Sequence, residues 1–300
     1  MKILLPIILL LFSIAPLQAQ QWSPAPVNDH YKTLQQFSAK PSSTRAWMDS
    51  IKFPPAEYSN SIVYTLVKPY YLSDNQVKAL SESVKFPANS SDQTRKELDY
   101  MLDLESKRTA DQVKRVEYLA NIGYWPTADI LADHLQHNQN LVDLFFEGRE
   151  VMGDQVTAAN LPKTAALLKG VMRDMRIMEF TIKYKLLRPR PYHLEPNLHA
   201  LAKINSPSFA SGHTLWAFAQ AFTWSLVVPE KESQFIALAE EIRRSREIMG
   251  IHFPSDNEAA RQVAAGMIKY YLQNQQFQKD LAGAREEWKR IGPGLLKHEP

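Results

Sequence analysis

The stretch SGHTLWAFAQAFTWSLVV, residues 211–228, is apolar on nearly every face. A helix with no polar face is buried in a core or sits in a membrane. Gln220 interrupts it, and it is short for a bilayer span, so it reads as a buried central helix. Amphipathic neighbours are needed to surround it, and the chain supplies them. EKESQFIALAEEIRRSREIMG (230–250) and SDNEAARQVAAGMIKYYLQNQQFQKDLAGAREEWKRI (255–291) follow as two helical patterns. Upstream, 157–187 is a long helical pattern, broken or kinked near Pro162, that stops at RPRP, where two prolines forbid continuation. Further helical patterns occupy 91–109, 109–124, 127–138 and 141–156; the first opens on a Ser91/Asp92 cap signal. SIVYTLVKPYYL (61–72) is the one strand candidate, and Pro69 confines it to an edge. The expected fold is all-α: a single helical domain with buried central helices over 61–300, preceded by an irregular N-terminal arm at 20–60 rich in Pro, Ser, Asn and Gln.

The totals fit that reading. Apolar residues make up 45% of 300, and the formal net charge of +3 comes from Lys and Arg scattered among nearly as many acids. No basic run alternates with aromatics, so nucleic-acid binding is not expected. Residues 1–19 combine Lys2, an apolar stretch from Ile3 to Ile14 and the small residue Ala19, which is the pattern of a cleaved signal peptide. The expected location is periplasmic or secreted, without stable membrane insertion. An exported chain with no cysteine must be stable through its core alone.

Three segments carry chemistry. Lys183 and Arg190 straddle the end of a long helix, where two cations could simply complement the dipole. Ser211, Gly212 and His213 open the apolar helix; Ser is a good cap, and free N–H groups at a helix start favour phosphate. His252 and Asp256 are four residues apart around Pro254, with Arg246 at the end of the preceding helix. A carboxylate bonded to one imidazole nitrogen leaves the other directed as a nucleophile or base. Each segment alone has an ordinary structural explanation. Together they supply three cations, a helix-start Ser-Gly and two histidines, which is sufficient for covalent phosphoryl transfer without a metal or other cofactor.

In order and spacing, Lys183-x6-Arg190-Pro191, Ser211-Gly212-His213 and Ser245-Arg246-x5-His252-x3-Asp256 resemble the three-part signature of the type-2 phosphatidic acid phosphatase superfamily. Its members include bacterial non-specific acid phosphatases, membrane lipid phosphatases and vanadium haloperoxidases. The chain looks most like the exported class A bacterial acid phosphatases, from about residue 70 to residue 292. The resemblance implies that His252 is the nucleophile forming a phosphohistidine, Asp256 its orienting partner and His213 the general acid. It further implies that Lys183, Arg190, Arg246, Ser211 and the Gly212 N–H hold the phosphate. Ala210 stands where the family usually has proline, which loosens the loop without deleting a chemical group. The expected substrates are small phosphate monoesters, hydrolysed with broad specificity, and a homo-oligomer is compatible with this reading. The same signature admits three alternatives: a lipid or diphosphate phosphatase, a vanadate-dependent haloperoxidase, or an inactive phosphate-binding scaffold.

Overall fold

Tight local signals set where the helices begin. Ser73 and Gln76 form a reciprocal capping box, Ser91 caps on the Thr94 N–H and Asn274 on the Phe277 N–H. Pro162 and Pro254 occupy first-turn positions, where a missing N–H costs nothing. The computed structural model describes Leu34 and residues 43–121 and 150–296. Its helices are α1 (Asp74–Ser83), α2 (Asp92–Lys107), α3 (Ala110–Asn121), α4 (Pro162–Leu186), the single turn α5 (Pro191–Leu194), α6 (Gly212–Val227), α7 (Glu232–Ile248), α8 (Pro254–Tyr271) and α9 (Gln275–Leu295). Among the described residues there is no strand. The expected leader at 1–19, the helical pattern at 127–138 and most of that at 141–156 lie outside the described residues.

Helix α6 is the axis of the domain. Every residue in it except His213 is buried, and it packs against α7, α8, α4 and α9. That burial accounts for its apolar faces, since no side of the helix meets water. No helix of the described residues is long and apolar enough to cross a membrane.

Three local readings need correction. Residues 61–72 are not a strand: Asn60–Leu66 is a 3-10 helix capped by the Ser59 hydroxyl, with Ile62, Val63 and Leu66 exposed. The segment finds no partner strand. Beyond it, the Tyr70, Tyr71 and Leu72 N–H groups donate instead to the buried Asp174 carboxylate of α4. Gly170 lets this segment lie flat on α4, because a Cβ there would come within 2.4 Å of the Tyr71 ring. Helix α1 was not expected, although its capping box is local and visible. The closing pattern at 255–291 is two helices, since Asn274 caps a new start after α8 ends at Tyr271. At Pro162 the long pattern is broken, as expected: 157–161 is not helical, and α4 starts at the proline without a kink. The described part of the arm, 43–60, is irregular and lies on the helices, with Phe53 N–H donating to Leu187 O at 2.9 Å.

Candidate functional site

The end of α4 sets the first half of the site. Leu187 takes the left-handed conformation (φ 53°) as C-cap, and Pro189 and Pro191 then enforce extended backbone. Residues two apart on an extended chain project to the same side, so Arg188 and Arg190, both fully buried, reach one target. Arg188 Nη1 donates to Asp256 Oδ1 at 2.6 Å, and Arg190 Nη1 lies 2.9 Å from His252 Nε2. The loop at 205–209 holds these cations: Arg190 donates to the Ser206 carbonyl and hydroxyl, and Lys183 Nζ donates to Pro207 O at 2.6 Å.

The second half comes from the turn between α7 and α8. Gly250 has φ 72°, a left-handed turn that favours glycine, and a Cβ there would meet the Ala200 Cα at 3.2 Å. Beyond this turn His252 precedes α8, and Asp256 stands in the first turn of that helix. Asp256 Oδ2 accepts the Phe253 N–H at 3.0 Å, which closes the helix start, and accepts His252 Nδ1–H at 3.2 Å. With Nδ1 donating to the carboxylate, the Nε2 lone pair of His252 faces the cleft beside Arg190.

Helix α6 contributes Gly212 and His213 at its start. The Ser211 hydroxyl caps α6, bonds Thr214 Oγ1 at 3.0 Å and is wholly buried. Thr214 passes this bond on to Asn257, and Asn257 to Glu247, tying α6 to α8 and α7. His213 Nε2 donates to Ala120 O at 3.1 Å, while Arg246 donates to the Ser245 hydroxyl and to Val116 O.

Burial sets the electrostatics. It pulls His252 well below the ordinary histidine value, with the Arg190 charge acting in the same direction. His213 is likewise pulled well down by burial and then by Arg246. Burial and Arg190 bring the Lys183 ammonium down to about 7. For Asp256 burial alone would raise the carboxyl, but the Arg188 charge and the hydrogen bonds of His252 and Ser208 outweigh it and hold it well below the carboxylate range. The free site therefore contains a firmly ionised Asp256 beside two neutral imidazoles.

Lys183, Arg190, Gly212, His213, Arg246 and His252 line one cleft of about 750 Å3. Asp256 stands behind His252, and Ser211 is turned into its cap rather than toward the cleft. Sequence reasoning passed over Arg188, Ser206 and Ser208, which hold Asp256 and the cations. It also missed Glu97 of α2, a fully buried carboxylate reaching the same network. The extended RPRP run is a signal that could have marked Arg188. No local signal marks Glu97.

Residues 164–280 match the PAP2 superfamily, and they include all eight expected site residues. A non-specific acid phosphatase of Providencia stuartii is 30% identical over 152 residues, covering 47% of this chain and 60% of that protein. One from Salmonella typhimurium is 29% identical over 144 residues, covering 46% and 57%. The chain thus spans about three-fifths of the length of these relatives. In fold it is similar to the crystal structure of the first bacterial vanadium-dependent iodoperoxidase. The TM-score is 0.53 at 14% identity, over 80% of this chain and 64% of that one, which is a likeness of fold alone.

Proposed function

From a chain whose residues 164–280 match the PAP2 superfamily, we propose an exported acid phosphatase that hydrolyses phosphate monoesters through a phosphohistidine at His252. One observation carries this reading. His252 is held by Asp256 through Nδ1, and its Nε2 faces a cleft lined by Lys183, Arg190, Arg246 and His213. The relatives named non-specific acid phosphatases support the substrate class, and the breadth of the cleft supports tolerance of different leaving groups.

An entering phosphoryl oxygen replaces His252 Nε2 as acceptor for Arg190, which frees the lone pair for attack. Lys183, Arg246 and the Gly212 N–H stabilise the other oxygens, where the transition-state charge lies. The Nε2–P bond forms as the ester P–O bond breaks, and the departing oxygen takes a proton from His213. Water then attacks phosphorus and gives its proton to His213. The N–P bond breaks, releasing inorganic phosphate and neutral His252. Asp256 holds the Nδ1 proton throughout.

Because His213 must carry a proton that burial disfavours, turnover rises as the pH falls from neutral into the acid range. His252 is also pulled down, so it keeps its lone pair to lower pH than an ordinary histidine does. Purified protein assayed on p-nitrophenyl phosphate with EDTA should therefore be active with an acid optimum, and His252→Ala should lose nearly all of it. Absence of turnover, or a His252→Ala variant near the parental rate, would refute the assignment.

A further inference from the structure

Glu97 lies on α2, outside residues 164–280, yet it reaches the groups that hold Asp256. Its Oε1 accepts the Ser255 N–H at 3.0 Å and its Oε2 accepts the Ser255 hydroxyl at 2.8 Å. Arg188 Nη2 stands 3.4 Å from Glu97 Oε2, while Nη1 donates to both Ser255 Oγ (2.8 Å) and Asp256 Oδ1 (2.6 Å). The guanidinium is a single buried cation between two buried carboxylates, packed over the rings of Phe253 and Phe86 at 3.9 and 5.0 Å.

That arrangement has an electrostatic consequence. Facing Asp256 alone, Arg188 would neutralise it and weaken its hold on the His252 Nδ1 proton. An ionised Glu97 shares the cation and leaves Asp256 more charge for the imidazole, an effect that is large where water is excluded. We propose that Glu97 is a positioning residue for the phosphoryl-transfer site. It acts through Arg188 and Ser255 to hold the Asp256 carboxylate against His252 and keep its charge available to the ring. This rests on the function proposed above.

Burial pushes the Glu97 carboxyl up to about 7, against the pull of Arg188. The other groups facing it are Asp256, whose charge raises it further, and Ser255 and Gln93, whose hydrogen bonds lower it. Glu97 therefore gains its charge as the pH rises through neutral, and His252 becomes the stronger nucleophile over that range.

The test compares the full chain with Glu97→Gln and Glu97→Asp, measuring kcat and KM on p-nitrophenyl phosphate across the acid-to-neutral range and inhibition by inorganic phosphate. NMR of the His252 ring nitrogens reads the same coupling without turnover. Glu97→Gln should lower kcat by about tenfold at neutral pH and above, where Glu97 is charged, in line with removal of a carboxylate that supports a functional histidine. In the acid range, where Glu97 holds a proton, the loss should be much smaller. KM and phosphate inhibition should be nearly unchanged, and the His252 signals should move toward a weaker Nδ1–H bond. Glu97→Asp should recover part of kcat. Parental kcat and parental His252 signals in Glu97→Gln would overturn the proposal, as would equal losses in both variants with unmoved signals. If Glu97→Gln does not fold, Ser255→Ala removes only the bridging hydroxyl, and a parental pH profile there would overturn it equally. An inactive parent would refute the phosphatase reading, while the NMR comparison would still decide this one.

Discussion

Asp256 accepts four hydrogen bonds with no solvent exposure: one on Oδ1 from Arg188, and three on Oδ2 from Ser208, His252 and the Phe253 N–H. One carboxylate thus starts a helix, balances a buried cation and selects the imidazole tautomer. Replacing it by an amide keeps the shape but removes the charge and places donors where donors already converge. Asp256→Asn is expected to cut kcat on p-nitrophenyl phosphate by roughly 10^3-fold or more, as loss of the carboxylate behind a catalytic histidine does. Removing the closer of the two carboxylates that pair with buried Arg188 should cost up to roughly 3–5 kcal/mol of stability. Kinetics on the folded fraction, set beside a urea melt, separate the two effects; a variant with parental kcat would show that the tautomer is fixed otherwise.

Helix α6 must be apolar all round because neighbours cover every side, yet it carries Gln220 at its middle, fully buried. Among the described residues neither amide atom of Gln220 has a hydrogen-bond partner. A buried polar group without a partner loses its hydration for nothing. Gln220→Met, of similar length and no polar demand, is expected to raise stability by about 1–3 kcal/mol. A higher urea midpoint with unchanged kcat would agree; a lower midpoint would mean that the amide is bonded in solution. The elements that sequence reading mistook have separate causes. Residues 61–72 have strand-forming composition but no strand to pair with, and the buried carboxylate of Asp174 takes the N–H groups of Tyr70, Tyr71 and Leu72. The break at 272–274 was legible in principle through the cap residue Asn274, but helical periodicity on both sides concealed it.

Across the whole molecule, the buried site sets how stability varies with pH. His213 and His252 both fall well below the ordinary value of 6.5 in the folded chain. The unfolded chain therefore binds more protons below about that pH, and stability is lost as the pH falls through it. Asp256 adds loss in the same direction below the ordinary aspartate value of 3.8. Glu97 acts oppositely. Its folded carboxyl holds a proton up to about 7, whereas an unfolded one releases it near 4.5, so its contribution declines as pH rises between these values. The expected result of urea titrations is a fall in unfolding free energy from pH 6.5 downward, less steep than the two histidines alone would give. In Glu97→Gln that offset disappears and the acid loss steepens. A flat profile would contradict the buried, neutral state of both rings.

Much of the molecule was decided by one-dimensional information. Apolar periodicity specifies helices and a fully buried α6 wherever segments are long, because a face that is nowhere polar can only be covered. Lys183, Arg190, His213, Arg246 and His252 could be singled out by type and spacing, since phosphoryl chemistry needs those charges and those nitrogens. The fold alone decided which atoms they present: His252 through Nδ1 to Asp256, Arg190 onto Nε2, and the Ser211 hydroxyl into a helix cap. It alone brought Glu97 and Arg188 together, 91 positions apart in sequence. A buried charge requires partners of opposite sign, but that requirement does not fix how far along the chain they stand; packing of α2 and α8 around the RPRP segment does.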